Sequence, residues 1–203
     1  MQPDTITAHT ISWATIHSHG PLWYQHHRLR YQAFVARQGW DIPHHDGTEW
    51  DQFDTPAARY VLVEYGGQCA AACRLVPTEV PYMLADVFPG LLPYTPPRAP
   101  DIWEASRIAV DHTLPAGLRR QCLLTLILAV QEEGIRLGVR HYLGLMPLLV
   151  WRMALIRNGV SVRILTEGEQ LIDGTPTAAG EIAVDPATVA RVRALLEAQA
   201  VAA

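Results

Sequence analysis

Two apolar runs, Tyr60 to Tyr65 and Cys69 to Val76, are separated by Gly66-Gly67. That punctuation predicts a β-hairpin, because the tight turns that suit twisted strands need positive φ at their centre. Three further segments decide what the hairpin packs into. Ile102 to Val110 is predicted as a strand. Ala116 to Leu137 is the longest predicted helix, stopped by Gly138. His141 to Met146 is predicted as a buried strand, after which Pro147 opens a helix to about Asn158, closed by Gly159. Val160 to Leu165 and Glu181 to Val184 complete the expected sheet, and Pro186 starts a C-terminal helix. Upstream, Leu22 to Gln38 carries apolar residues at helical spacing (Leu22, Trp23, Leu29, Ala33, Phe34, Val35). Residues 41–58 are polar and predict a long loop. Residues 77–100, with seven prolines, predict an irregular segment with a short helix near Met83 to Phe88. The order helix, strands, helix, strand, helix, strands implies an α/β/α sandwich on a mixed sheet. With no repeat and no long linker, residues 1–203 are expected to form one domain.

A chain that is 49% hydrophobic and 18% charged is globular rather than disordered. Its longest apolar run, Leu123 to Val130, is broken by Thr125 and falls short of the roughly 20 residues a membrane span needs. MQPDTITAHT shows neither the basic nor the apolar region of a signal peptide, so a soluble cytoplasmic protein without membrane contact is expected. Three cysteines in such a chain argue for reduced thiols. Cys69 and Cys73, four apart in a strand, should share a face about 13 Å apart, too far for a disulfide. All sixteen basic residues are arginine, which excludes lysine Schiff bases and Walker-type lysines. No G-x-S-x-G elbow is present, and the pairs His26-His27 and His44-His45 diverge on any regular backbone. Neither a metal nor a cofactor is expected.

The net charge of −4 is unevenly spread. Asp41 to Asp54 holds five acids and no arginine, whereas Arg119 to Arg163 holds seven arginines against Glu132 and Glu133, seven minus two or +5. An acidic protein partner would prefer the second region. Arg152 and Arg157, on the helix after Pro147, are the docking candidates. Nucleic acid is disfavoured by the negative total and the lack of any reader motif.

Four motifs occur in order. They are Arg30, Phe34 and Trp40 in LRYQAFVARQGWD, Asp51 and Asp54 in EWDQFD, Arg74 in CRLVPT, and Glu104, Ser106 and Arg107 in WEASR. With PYMLADVFPGLLP and ALIRNGV between and after them, the chain resembles the LuxI-type acyl-homoserine-lactone synthases from about residue 22 to residue 163. The resemblance implies an acyltransferase with a fold like that of the GCN5-related N-acetyltransferases. In that fold two adjacent parallel strands splay apart around an acyl thioester, and here those strands should be Ile102–Val110 and His141–Met146. The implied partners are S-adenosylmethionine, as a substrate and not a cofactor, and an acyl group on acyl carrier protein or CoA, handled by a monomer. The products would be an N-acyl-homoserine lactone, a quorum-sensing signal, and methylthioadenosine. The resemblance carries Glu104, Arg107, Asp51, Asp54 and Arg30 over as the catalytic cleft, and Phe34, Trp40, Arg74 and Ser106 as the adenosylmethionine site.

Strand alternation would put Glu104 and Ser106 on one face and Trp103, Ala105 and Arg107 on the other. Glu104 is either a general base acting through water or a structural partner of Arg30 or Arg74, and Arg74, in the hairpin strand, is favoured as a tie to Asp51, Asp54 or Glu104 that shapes the pocket. The acyl chain needs an apolar pocket, for which Leu124, Leu145, Met146, Leu148, Leu149, Trp151 and Leu155 are the candidates. The stretch Leu145 to Leu149 has no hydroxyl, whereas in relatives that make 3-oxo products a Thr or Ser there is associated with the 3-oxo group. The alternative is an acyl-CoA N-acyltransferase of the same fold acting on another amine. Those enzymes carry a glycine-rich loop where HTLPAGLRR has only Gly117, although Arg119-Arg120 can still hold a phosphate.

Overall fold

The structure, a computed structural model, describes residues 5–201 apart from positions 169 and 173. The first four residues and the last two, part of the expected 1–203 domain, lie outside the described residues. Strand β1 (Thr7–Ser12) leads to helix α1 (Gly20–Arg30), which widens into a π-helical stretch, Tyr31–Ala36. A two-rung hairpin, β2 (His44–His45) and β3 (Thr48–Glu49), lies in the polar loop, followed by β4 (Arg59–Tyr65), β5 (Gln68–Pro77) and a single helical turn α2 (Met83–Asp86). Next come β6 (Ile102–Val110), α3 (Ala116–Leu137), β7 (His141–Pro147) and α4 (Leu148–Val150), the last continuing through a π turn (Trp151–Leu155) and a 3-10 turn (Ile156–Asn158). The chain closes with β8 (Val162–Ile164), β9 (Gln170–Ile172), β10 (Thr175–Ala183) and α5 (Pro186–Val201).

Eight strands form one mixed sheet in the order β1-β4-β5-β6-β7-β10-β8, with β9 also on β10. Helices α1 and α2 cover one face, over Leu62, Ala72 and Val76, and α3 and α5 cover the other, over Val61, Cys73 and Leu75. The sandwich expected from the element order is therefore present. Helix α3 stops where Gly138 takes φ +72°, the left-handed cap a residue without Cβ adopts at little strain. Among the described residues no helix is long and apolar enough to cross a membrane.

A bulge corrects the expectation for the cysteines. Glu64 pairs with Cys69 but Val63 pairs with Ala71, so β5 carries an extra residue at Ala70 and its alternation flips. Cys69 joins the core under α1, and Cys73 the core under α3. All three cysteines are free and buried.

The parallel pair is β6 with β7, and it is short. Ile102, Trp103 and Glu104 pair with His141, Tyr142 and Leu143, and there the pairing ends. Strand β6 runs on to Val110, while β7 stays zipped to β10 as far as Pro147 opposite Thr177. The two strands thus part from Glu104 and Leu143 onward. Backbone donors and acceptors inside a sheet need partners, so an open fork of this kind suits an extended substrate.

Candidate active site

The residues singled out from the sequence converge on the α1 side of the sheet. Arg30, at the end of α1, donates from Nε to Glu49 at 2.5 Å and from both terminal nitrogens to Asp54 at 2.8 and 2.9 Å. Arg74, on β5, grips Asp51 at 2.5 and 3.0 Å, lies 3.1 Å from Asp54 and donates from Nε to Ser106 Oγ at 3.2 Å. Arg107, on β6, donates to Glu49 at 3.1 Å and reaches Asp51 at 2.7 Å. Three guanidinium groups and three carboxylates therefore form one closed lattice. The loop is locked into it: the Asp51 amide donates to Asp54, the Phe53 amide to Asp51, and the Tyr60 hydroxyl to Asp54.

Burial favours the neutral form of the Asp51 and Asp54 carboxyls, and the arginines reverse that. Asp51 is pushed up by burial but brought below the ordinary range by Arg74, and Asp54 is brought far below it by Arg30 and Arg74. Glu104 differs. It is buried, among the described residues no arginine is within salt-bridge reach of it, and it accepts the backbone amides of Met83 and Leu84 at 3.3 and 2.7 Å. Burial raises its pKa, opposed only in part by the Leu84 amide and the Arg74 charge. Of the two readings of Glu104, the direct pairing with Arg30 or Arg74 is not made, because the three neighbouring carboxylates already occupy those arginines.

Three further placements depart from the sequence reading. Arg107 lies on the same side as Glu104 and Ser106. Ala72 pairs with Ala109 but Arg74 with Ser106, so β6 holds one extra residue, and Arg107 takes φ +53° at this bulge. Arg74 has each of its three nitrogens engaged at 1% exposure and ties Asp51 and Asp54 into the cleft wall, the role favoured from its own strand, so it departs only from the adenosylmethionine contact implied by the resemblance. Glu49, which joins Arg30 to Arg107 at 0% exposure, was not singled out. Its signal was available, since it stands two residues before Asp51 in EWDQFD. Phe34 and Trp40 stack on each other, centroids 5.0 Å apart and planes at 13°, and the Arg107 guanidinium lies 5.7 Å over Phe34.

On the α3 side of the fork lies an apolar cavity of about 40 Å³, bordered by Ala105 and Ile108 of β6, Met146 of β7, Leu123, Leu126, Ile127 and Gln131 of α3, and Leu155. Of the expected acyl-pocket residues, Met146 and Leu155 border it. Leu124 and Leu148 belong to the surrounding core, and Trp151 is buried behind Met146. Leu145 points to the opposite face, as alternation from Met146 requires, and Leu149 is 70% exposed. Beside the cavity a wider recess of about 410 Å³ is bordered by Arg37, His112, Arg119, Arg120 and Arg157, and Leu123 borders both spaces. Arg152 is exposed outside that recess. Among the described residues no group of three or more His, Cys, Asp or Glu is arranged to hold a metal ion.

The sheet and its fork define an acyltransferase-like fold. An acyl-CoA N-acyltransferase from Pseudomonas aeruginosa superposes with a TM-score of 0.58 at 14% identity, covering 87% of this chain and 99% of its own, a likeness of fold alone. The autoinducer synthase family matches residues 15–192. An acyl-homoserine-lactone synthase from Ralstonia solanacearum is 35% identical over 169 residues, 79% of this chain and 81% of its own. The CoA-dependent acyl-homoserine lactone synthase BjaI, solved with SAM and isopentyl-CoA, superposes with a TM-score of 0.86 at 28% identity, covering 95% of this chain and 90% of its own. This chain belongs to the autoinducer synthase family, whose members are acyltransferases.

Proposed function

We propose that this chain acylates the amine of S-adenosylmethionine from a fatty acyl thioester and then closes the homoserine lactone. One observation carries the reading: β6 and β7 part at Glu104, with the charged lattice and Phe34 on one side of the sheet and the apolar cavity on the other. In the first step the amine nitrogen attacks the thioester carbonyl, the C–N bond forms, and the C–S bond breaks to release the thiol. A free α-amino group has a pKa of about 7.7–8.0, so modest base assistance is enough. Glu104 takes the amine proton through water, its raised pKa making it a better acceptor than the arginine-bound aspartates. In the second step the methionyl carboxylate attacks its own γ-carbon, and the sulfonium leaves as neutral methylthioadenosine.

Arg30, Arg74, Asp51, Asp54 and Glu49 hold the shape of the cleft. Arg107, whose Nη1 donates to the Met83 sulfur at 3.4 Å, a weak acceptor, keeps donor capacity for the substrate carboxylate. Phe34 and Trp40 offer aromatic faces to the sulfonium or adenine. The thioester's carrier, CoA or acyl carrier protein, lies along the arginine-lined recess that meets the cavity at Leu123. No cofactor is required, and three buried free thiols suit a reducing cytoplasm. The test is incubation of the purified protein with S-adenosylmethionine and acyl thioesters. Equal release of methylthioadenosine and acyl-homoserine lactone is expected, whereas acylation of another amine without methylthioadenosine would overturn the reading.

A further inference from the structure

We infer that Met146, backed by the indole of Trp151, ends the acyl cavity and restricts this enzyme to short acyl chains. The inference rests on the acyl-transfer reading above and names the class of acyl group.

The device is built from two glycines. Gly144 of β7 and Gly180 of β10 stand directly opposite each other in the ladder. Their missing side chains leave a notch in the sheet, and Trp151 fills it. A Cβ on Gly180 would lie 2.8 Å from Trp151 Cζ2, closer than real contacts permit. A Cβ on Gly144 would lie 3.3 Å from Trp151 Cη2 and 3.3 Å from the Met146 ε-methyl, so ring and methyl flank the same point. The indole cannot swing away freely. It is fully buried, and its Nε1–H donates to the Ala178 carbonyl at 2.9 Å. Met146 is held as firmly by its backbone, since it pairs with Ala178 and is followed by Pro147. Its side chain borders the cavity together with Ile127 and Leu155, while Trp151, on the other side of the Met146 methyl, is not part of the lining. A chain entering at the fork therefore meets Met146 with a fixed wall behind it. The small cavity, about 40 Å³, agrees with a short occupant.

The arrangement offers levers in opposite directions. Met146→Ala removes the stop. Gly144→Ala adds a methyl group that pushes both the ring and the Met146 methyl toward the cavity. The measurement is kcat/KM, by methylthioadenosine release, on butanoyl, hexanoyl, octanoyl, decanoyl and dodecanoyl thioesters, with the melting temperature of each protein. Wild type should be best with hexanoyl or butanoyl and at least about ten-fold slower with dodecanoyl. Each methylene newly buried is worth about four-fold, so Met146→Ala should raise the dodecanoyl-to-hexanoyl ratio about ten-fold or more. Gly144→Ala should lower the octanoyl-to-butanoyl ratio. If Met146→Ala melts early, Met146→Val keeps a strand-forming residue and should move the ratio the same way. A wild type that prefers decanoyl or dodecanoyl overturns the inference, as does an unmoved optimum in folded variants, even though methylthioadenosine release continues. If no thioester yields methylthioadenosine, the acyl-transfer reading itself falls and the inference with it.

Discussion

Arg107 is held at φ +53°, a conformation that costs a residue with a Cβ about 1–3 kcal/mol. The ion pairs to Glu49 and Asp51 offset that strain, and the bulge that imposes it brings the guanidinium to the face it would otherwise turn from. Glu104, the last residue of β6 paired with β7 before the fork opens, is the carboxylate of the site left without an arginine. Glu104→Gln keeps one oxygen for the closer Leu84 amide and gives up only the 3.3 Å contact to Met83, so the fold should survive while turnover falls roughly 10²–10⁴-fold. Turnover and melting temperature measured together decide it, and a folded variant keeping a third of wild-type rate removes Glu104 from catalysis. A second residue bears on the acyl group. Gln131 is the amide that borders the cavity, held to the chain beyond β10 with Nε2 donating to the Ala183 carbonyl at 3.1 Å and Oε1 accepting the Asp185 amide at 3.2 Å, and Leu145 to Leu149 supply no hydroxyl. A 3-oxo group there would lose a hydrogen bond, about 1–3 kcal/mol, or roughly a 5- to 150-fold preference for the unsubstituted chain. Competition between matched thioesters of equal length tests this, and a preference for the 3-oxo substrate would contradict it. Residue types told much of the site in advance, because arginines and carboxylates in a mostly apolar chain must pair. Which arginine met which carboxylate was not legible. The pairing depends on the Arg107 bulge and on Glu49, both of which are settled by distant partners.

At the scale of elements, the hairpin and the long helix were readable from alternation, Gly66-Gly67 and Gly138, whereas the forked pair was implied by the family resemblance alone. Strands β1 and β9 were not, being short edge segments of mixed composition, and the helix after Pro147 breaks into π and 3-10 turns that no periodicity announces. The acyl-pocket reading failed at Leu145 and Leu149 for the related reason that neighbouring positions face opposite ways. Helix α1 makes a prediction of its own. His26 and His27 are buried side by side, Nε2 of each without a hydrogen-bond partner, while their Nδ1 atoms bond the Trp23 and Glu49 carbonyls. Trp23, Trp50 and Tyr60 pack against them, and Arg30 and Asp54 are the nearest charges. Burial, then Arg30, lowers the His27 pKa to about 4 from 6.5. The unfolded chain thus binds a proton between those values that the native state refuses. Stability is full above pH 6.5 and is lost as pH falls toward 4. One pKa unit is about 1.4 kcal/mol, so His27 alone contributes up to about 3 kcal/mol to that loss. Melting temperature against pH should show the acid limb, and His27→Asn, which keeps a donor near the Nδ1 position, should flatten it. An unchanged limb would assign the acid sensitivity to the Asp51 and Asp54 carboxyls, which must protonate at lower pH.

Across the whole molecule, charge is sorted by face and by role. The acids of residues 41–54 are largely spent inside the molecule, with Glu49, Asp51 and Asp54 neutralised by arginines, whereas Arg119, Arg120 and Arg157 stand exposed around the recess. The surface around that recess is therefore positive although the chain is net negative. Such a surface acts through encounter and orientation, and it is screened beyond about 8–10 Å in ordinary salt. Arg157 borders the recess and Arg152 lies outside it, so the two docking candidates should separate. Arg157→Glu, alone or with Arg119→Glu, should raise the KM for an acyl carrier protein thioester several-fold, more at low salt than at high, and leave the KM for S-adenosylmethionine unchanged. Arg152→Glu should do so only for the bulky carrier, because its reach is to the partner's surface and not into the recess. With a short acyl-thioester mimic that has neither phosphate nor protein, all three variants should match wild type. An equal loss with the mimic would show that these arginines hold α3 and α4 in place rather than the carrier, and a loss confined to CoA would make the recess a phosphate site with no protein docking beside it.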